Sequence, residues 1–175
     1  MPFLYEQFSV REAQEGDVLR ILEWRNSESV RKWMSSSKKI KLDDHIQWFN
    51  SRGKNGTSIF IVSWGSHPIG VFILKLTAST TNEYALTMYV RDEFQNLGVG
   101  VVVEWFMLET AFNLRKAKKL TGLMFKQNQV VSLHKYFGFE IKEQEGDFVQ
   151  VSLTKEKYRQ LAEENKTHIF KKNIL

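Results

Sequence analysis

The stretch from Glu83 to Phe125 constrains the fold more than any other part of the chain. EYALTMYV (83–90) alternates as a strand does, and FQNLGVGVVVEWF (94–106) then runs into a helix expected over about 99–114. KLTGLMF (119–125) reads as the next strand, so the unit is β-α-β and fits a parallel pair joined by a crossover helix. Gln95-Asn96-Leu97-Gly98-Val99-Gly100 falls at the N-terminus of that helix. Free backbone N–H groups and the helix dipole favour an anion there. Two duties are open to the glycines: letting backbone approach a phosphate, where a Cβ would intrude, or packing the helix tightly on its neighbours. The loop is not G-x-G-x-x-G and no Gly-Lys-Ser/Thr follows, so the dinucleotide and P-loop patterns both fail.

Around this unit the chain alternates helical and strand patterns. LYEQFSV (4–10) suits a first strand, and Asp17 is placed to cap a helix carrying Val18, Leu19, Ile21, Leu22 and Trp24. A short helical piece is expected over roughly 28–34, and a third opens at Asp43 or Asp44. SIFIVSW (58–64) and PIGVFILKL (68–76) flank Gly65-Ser66-His67 as a hairpin. VVSLHKYF (130–137) is a short helix, FEIKEQ and DFVQVSLT form a last hairpin around Glu145-Gly146, and Lys155–Asn165 is a polar helix. The expected fold is α/β (α+β): one domain over 1–175, with a twisted, mainly antiparallel sheet of about seven strands flanked by helices.

Composition narrows the function. The 175 residues contain no cysteine, which excludes disulfides, thiolate zinc sites and a cysteine nucleophile; no metal is expected. Residues 155–175 carry six Lys/Arg against Glu156, Glu163 and Glu164, or +3 of the net +5, so the surplus lies in a basic C-terminal helix and tail. The body is near neutral, unlike the charged face of a nucleic-acid binder. No apolar stretch reaches the roughly 20 residues a bilayer needs. The opening ten residues lack the pattern of a secretory signal, so the cytoplasm is the expected compartment.

Gln-x-x-Gly-x-Gly after a strand resembles the acetyl-CoA loop of the GCN5-related N-acetyltransferases, the GNAT superfamily. NQVVSLHKYFGF (128–139) resembles that family's second block, roughly Asn-x-x-Ala-x-x-Leu-Tyr-x-x-x-Gly-Phe. The resemblance implies acetyl-CoA as cofactor and a V-shaped split between strands 83–90 and 119–125. Strand 83–90 would bend near Thr87–Met88, pantetheine would pair with Met88, Tyr89 and Val90, and the pyrophosphate would sit on N–H groups of Leu97 to Val101. Gln95, Asn96, Gly98, Val99, Gly100 and Asn128 would complete the cofactor site. His134 stands where the family has its tyrosine, four before Gly138, and Asn128 falls one residue late. A thiol with a pKa around 8.5 needs little help to leave, and an imidazole can donate a proton near neutral pH. His134 is thus the candidate general acid. Tyr136 lies some 200° around the helix from it. Glu83 and Thr87 are weaker candidates for a base, with water-relayed deprotonation as the alternative.

Residues 22–49 mix Trp24, Trp33 and Trp48 with Arg25, Asn26, Arg31, Met34 and His45. Packed helices with solvated basic groups would explain this, and so would a wall that stacks a flat ring and holds charged oxygens. Trp-Arg-Asn-(x)4-Arg-x-Trp-Met with His-x-x-Trp-Phe resembles the superfamily branch that acetylates the 4-amino group of a UDP-linked 4-amino-4,6-dideoxy sugar in pseudaminic acid biosynthesis. That likeness implies Arg25, Met34 and His45 as acceptor-side residues and a small-molecule amine acceptor. Two alternatives stand beside it: a GNAT enzyme acting on a protein N-terminus, small amine or polyamine, and a non-catalytic CoA-binding module. A homodimer through a sheet edge or the C-terminal strands is left open.

Overall fold

The computed structural model describes residues 7–78 and 80–163. Its strands are β1 (Phe8–Glu12), β2 (Thr57–Trp64), β3 (His67–Ala78), β4 (Glu83–Val90), β5 (Lys119–Phe125), β6 (Glu140–Glu143) and β7 (Phe148–Thr154). Its helices are α1 (Val18–Asn26), α2 (Glu28–Arg31), α3 (Leu42–Asn50), α4 (Gly100–Glu109), α5 (Val130–Tyr136) and α6 (Lys155–Glu163). The strands form one sheet in the order β1-β2-β3-β4-β5-β7-β6, antiparallel throughout except for β4 beside β5.

Side-chain alternation sorts this sheet into two apolar faces. Phe60, Phe72, Leu74 and Leu86 face Val102, Val103 and Met107 of α4. Ile59, Ile61, Val71 and Tyr89, one residue out of phase, face Ile21, Trp24, Val30 and Phe49 of α1–α3. Burying a side chain the size of Phe72 or Phe49 stabilises by about 1.5–3 kcal/mol, so each helical layer is held by several such contacts. α4 is apolar on nearly every side and continues into a π-helical turn, Thr110–Leu114.

Several boundaries differ from expectation, α3 among them, which opens at Leu42. β1 starts at Phe8, where pairing with Trp64 of β2 begins; residues 4–6 of the expected strand lie outside the described residues. α2 ends at Arg31, because the next amides turn back to the third residue before them, Trp33 to Val30 and Met34 to Arg31. α4 opens at Gly100. The expected 155–165 helix is described as far as Glu163. Among the described residues no helix is long and apolar enough to cross a membrane.

Asp17 precedes α1 as expected, yet its carboxylate caps no N–H of that helix and meets arginines instead, Arg20 of α1 among them at 3.5 Å. It accepts both guanidinium nitrogens of Arg11, at 2.7 and 2.9 Å, and the Gln14 N–H at 2.8 Å. Those hydrogen bonds, the Arg11 pair foremost, hold its pKa below the usual 3.8. The folded state therefore gains from Asp17 above the unfolded value and loses that gain as pH falls through the lowered folded value. Asp17→Asn should cost about 2 kcal/mol at neutral pH. The deficit should shrink in denaturant melts below pH 3.8, and an equal deficit at both pH values would contradict the assignment.

Candidate active site

The sheet opens where β4 parts from β5. Parallel pairing covers only Glu83–Ala85 against Lys119–Thr121 and stops there, while β4 stays paired with β3 up to Val90. No irregularity interrupts the β3 register from Ala85 to Val90, so the split comes from the β5 side and starts at Leu86, one residue before the bend expected at Thr87–Met88. Leu86 lodges against Gly122, filling the space where the strands diverge. The Arg91 N–H donates to Ile69 O on β3, and strand amides alternate between edges. Leu86 N–H faces β5 at the last parallel pair, so the N–H groups of Met88 and Val90 line the open edge, and the Tyr89 amide points to β3. Glu83 and Thr87 share the α1–α3 face of β4 with Tyr89, but Glu83 lies in the closed, paired part.

Beyond Val90 the chain crosses a short 3-10 turn, Asp92–Phe94, and enters the glycine loop. Asn96 and Gly98 have φ of +62° and +80°, a region natural to glycine and tolerated by asparagine. The Val101 N–H donates to Gly98 O, whereas the amides of Asn96 to Gly100 make no backbone hydrogen bond among the described residues. The free donors thus lie one residue earlier than the expected Leu97–Val101. Gly100 has no such strain, and a Cβ there would meet Leu133 at 3.4 Å, an ordinary contact. The Gln95 side chain braces the loop by donating to Val90 O at 3.0 Å and to Ser29 Oγ at 2.8 Å. Asp92 accepts from the hydroxyls of Ser27 and Ser29, so the loop is tied directly to α2.

The segment that suggested an aromatic wall is partly structural. Trp24 is buried with the Arg91 guanidinium over its ring, so it offers no stacking face. Asn26 holds Ile40 by both amide atoms, each at 2.8 Å. His45 corrects the expectation most clearly. It is 2% exposed and its Nε2 contacts Val18 O at 3.1 Å, bracing α3 against α1 and leaving it no face for an acceptor. Burial lowers its pKa, the Val18 bond notwithstanding. Met34 packs at the margin of the α1–α3 core. Arg25 is half-buried: Nη2 reaches Ser36 O at 3.4 Å, and Nη1 is buried without a partner. Burial lowers the Arg25 pKa and raises that of the Tyr89 phenol, with each group's charge tempering the other's shift.

α5 corrects the expected acid as well: His134, less exposed than His45, presents no open face to a thioester. His134 is fully buried, with Nδ1 2.6 Å from Glu104 Oε1 on α4 and Nε2 unpartnered. Tyr136, on the far side of the helix, is 61% exposed. Asn128 lies one residue before the Gln129 cap of α5, and its Oδ1 accepts the Val130 N–H at 3.1 Å, so this oxygen is committed to the turn that opens the helix. Sequence reasoning missed Glu104, although a lone carboxylate inside VVVEWF was a signal; nothing in the spacing linked it to a histidine 30 residues away. Arg91 was missed as well. It donates to Pro68 O and lies over Trp24 and Phe94, steadying the start of the loop. Among the described residues no cluster of His, Asp and Glu is placed to hold a metal.

A splayed parallel pair, a free strand edge beside it and unpaired amides before α4 leave room for an extended ligand that ends in an anionic group. The model of the acetyltransferase (GNAT) family matches residues 18–139, and the chain belongs to that family. Its cofactor is acetyl-CoA and its activity N-acetyl transfer. The structure is similar to spermidine N-acetyltransferase from Vibrio cholerae in complex with CoA and spermine, with TM-score 0.80 and 17% identity over 88% of this chain and 99% of that one. A dodecameric structure of the Vibrio cholerae enzyme superposes with TM-score 0.73, at 17% identity over 87% and 96% of the two chains. A domain from Methanocaldococcus jannaschii gives 0.72 at 15% identity over 84% and 97%. No curated protein matches the sequence. The narrower likeness to the sugar-acetylating branch has no counterpart among these findings.

Proposed function

We propose that the protein acetylates a primary amine on a small acceptor that also carries an acidic group, bound between α1–α2 and the open part of β4. The observation that carries this reading is the buried, unpartnered Nη1 of Arg25 beside Tyr89. A buried guanidinium donor without a partner is costly, and a phosphate or carboxylate would satisfy it. Arg31, with a buried unpartnered Nε and a 3.0 Å bond to Ser37 O, adds charge on the same side. A nucleotide-linked amino sugar belongs to this class but rests on residues 22–49 alone. The solved structures favour a small amine over a nucleotide sugar, and a polyamine is the second reading, supported by the spermine-bound structure of the same fold.

Acetyl-CoA would supply an activated acetyl group as its thioester. The amides of Asn96 to Gly100 fit a pyrophosphate, and the open amides of Met88 and Val90 fit an extended amide-bearing arm. One of those edge amides would polarise the thioester carbonyl. Thr87, in the open part on the acceptor face, would orient the amine, while Glu83 lies farther down the paired strand.

The test is release of free CoA, read with a thiol reagent, over a panel of a UDP-4-amino sugar, a phosphorylated amino sugar, spermidine and an N-terminal peptide. Anionic amines should outpace spermidine. Arg25→Ala should raise the acceptor KM about tenfold, the loss of one charge-assisted bond, with the acetyl-CoA KM unchanged. Spermidine turning over fastest, with Arg25→Ala neutral, would establish the polyamine reading instead.

A further inference from the structure

β5 sends Leu120 and Met124 into the core under α4, and its opposite face is left bare. The α1–α3 core draws its sheet residues from β2, β3 and β4 and, among the described residues, none from β5, β6 or β7. On the bare face Leu123 is 62% exposed. Phe125 is half-buried there, stacked on Phe148 of β7 with centroids 4.5 Å apart. Register fixes where this patch sits. Ala85 with Thr121 is the last parallel pair, so counting on by two sets Leu123 across the opening from Thr87, and Phe125 across from Tyr89.

We propose that Leu123, backed by the Phe125–Phe148 stack, is a specificity-determining wall of the acceptor cleft that takes an apolar or ring-bearing body of the amine. This rests on the acceptor reading given above. α4 closes one face of the sheet beside the opening, so an acceptor approaches from the α1–α3 side. Arg25, with its unspent Nη1, stands on one flank of that approach and Leu123 on the other. The acceptor class is therefore amphiphilic: an acidic group at Arg25, the amine at the open edge of β4, and a hydrocarbon or ring portion against Leu123.

The chemistry of the wall favours hydrocarbon over a cation. Along this face of β4, β5 and β7 the one carboxylate is Glu83, in the closed part and in register with Lys119. Asp147, just before β7, is paired with Lys126 at 3.1 Å, and Glu140 stands two strands out, on β6. A polycation would find no anion across the opening, whereas an apolar body would release water from Leu123 and the stacked rings. The patch is also too small for a protein partner. Leu123 and two half-covered rings expose on the order of 300 Å², against roughly 800 Å² per side in a stable interface. Thr121, Gln150 and Ser152 around them are polar.

The test compares phosphoethanolamine with para-aminomethylphenyl phosphate, two primary amines that share the acidic group and differ in the body between. Calorimetric titration into the CoA-bound protein reads both without turnover. The wild type should bind the aryl compound about tenfold more tightly, the worth of covering part of one leucine and one ring face. Leu123→Asn should bring the two amines within about twofold, by loss on the aryl side alone. Its melting temperature and CoA affinity should stay as in the wild type, because the side chain is exposed. A leucine with a structural role only would weaken both amines together. Equal affinities in the wild type, or an aryl preference that survives Leu123→Asn, would overturn the proposal. So would a wild type that sediments as a dimer while Leu123→Glu sediments as a monomer, since a second copy then covers the face. If neither phosphate binds, the acidic-acceptor reading fails by itself, and hexylamine against ethylamine decides the wall. A hexylamine preference that Leu123→Asn erases would uphold it, and no such preference in the wild type would overturn it.

Discussion

Gly98→Val is expected to weaken CoA binding about a hundredfold while leaving most of the fold's stability intact. The reason is conformational. Gly98 has φ +80°, and a β-branched residue held there costs about 1–3 kcal/mol. The loop would relieve that strain by turning back to negative φ, and the amides on either side would turn with it. Losing two charge-assisted hydrogen bonds to a pyrophosphate costs about 3 kcal/mol, or two powers of ten in Kd. Calorimetric titration with CoA measures this without an acceptor. Gly98→Asn separates two causes, since asparagine tolerates the same φ yet carries a Cβ. If close approach matters as well as conformation, that variant should still bind several-fold more weakly. Wild-type affinity in Gly98→Val would remove the loop from the anion site. The loop is exposed at Gly98, so Tm should fall by no more than about 6 °C.

The loop also shows where sequence reasoning succeeds. Strand alternation in 83–90 and an apolar helix right after it were enough to locate β4, α4 and β5, since both periodicities are local. Of the two glycines only Gly98 takes a positive φ, and a single sequence carries no sign of which one does. Residues 22–49 were harder. An aromatic-rich, basic segment reads the same whether its groups face a ligand or one another. Trp24, Asn26 and His45 turn out to hold α1, α3 and the Ile40 loop together, which leaves Arg25 with a donor unspent. Glu104 was the least legible residue. Its partner lies 30 residues on, and only the packing of α5 across α4 brings them together.

Gly70 offers the opposite test from Gly98, because its absent side chain decides the fold itself. It lies on the α4 face of β3, opposite Val90 and directly beneath α4. A Cβ there would come within 2.9 Å of Tyr89 O and 3.0 Å of Val103 Cγ2. The first of these is backbone in the sheet and cannot rotate away. Gly70→Val would therefore push α4 off the sheet, and overpacking of this kind costs about 3 kcal/mol. In a chain of 175 residues that lowers Tm by about 9 °C, while Gly70→Ala should fall partway. Affinity for CoA should drop less than in Gly98→Val, since the amides of the loop keep their φ values even if α4 shifts outward as a unit. A melt unchanged in Gly70→Val would mean that α4 does not rest on the backbone of β3, and the close seating of the cofactor loop against the end of β4 would lose its physical basis.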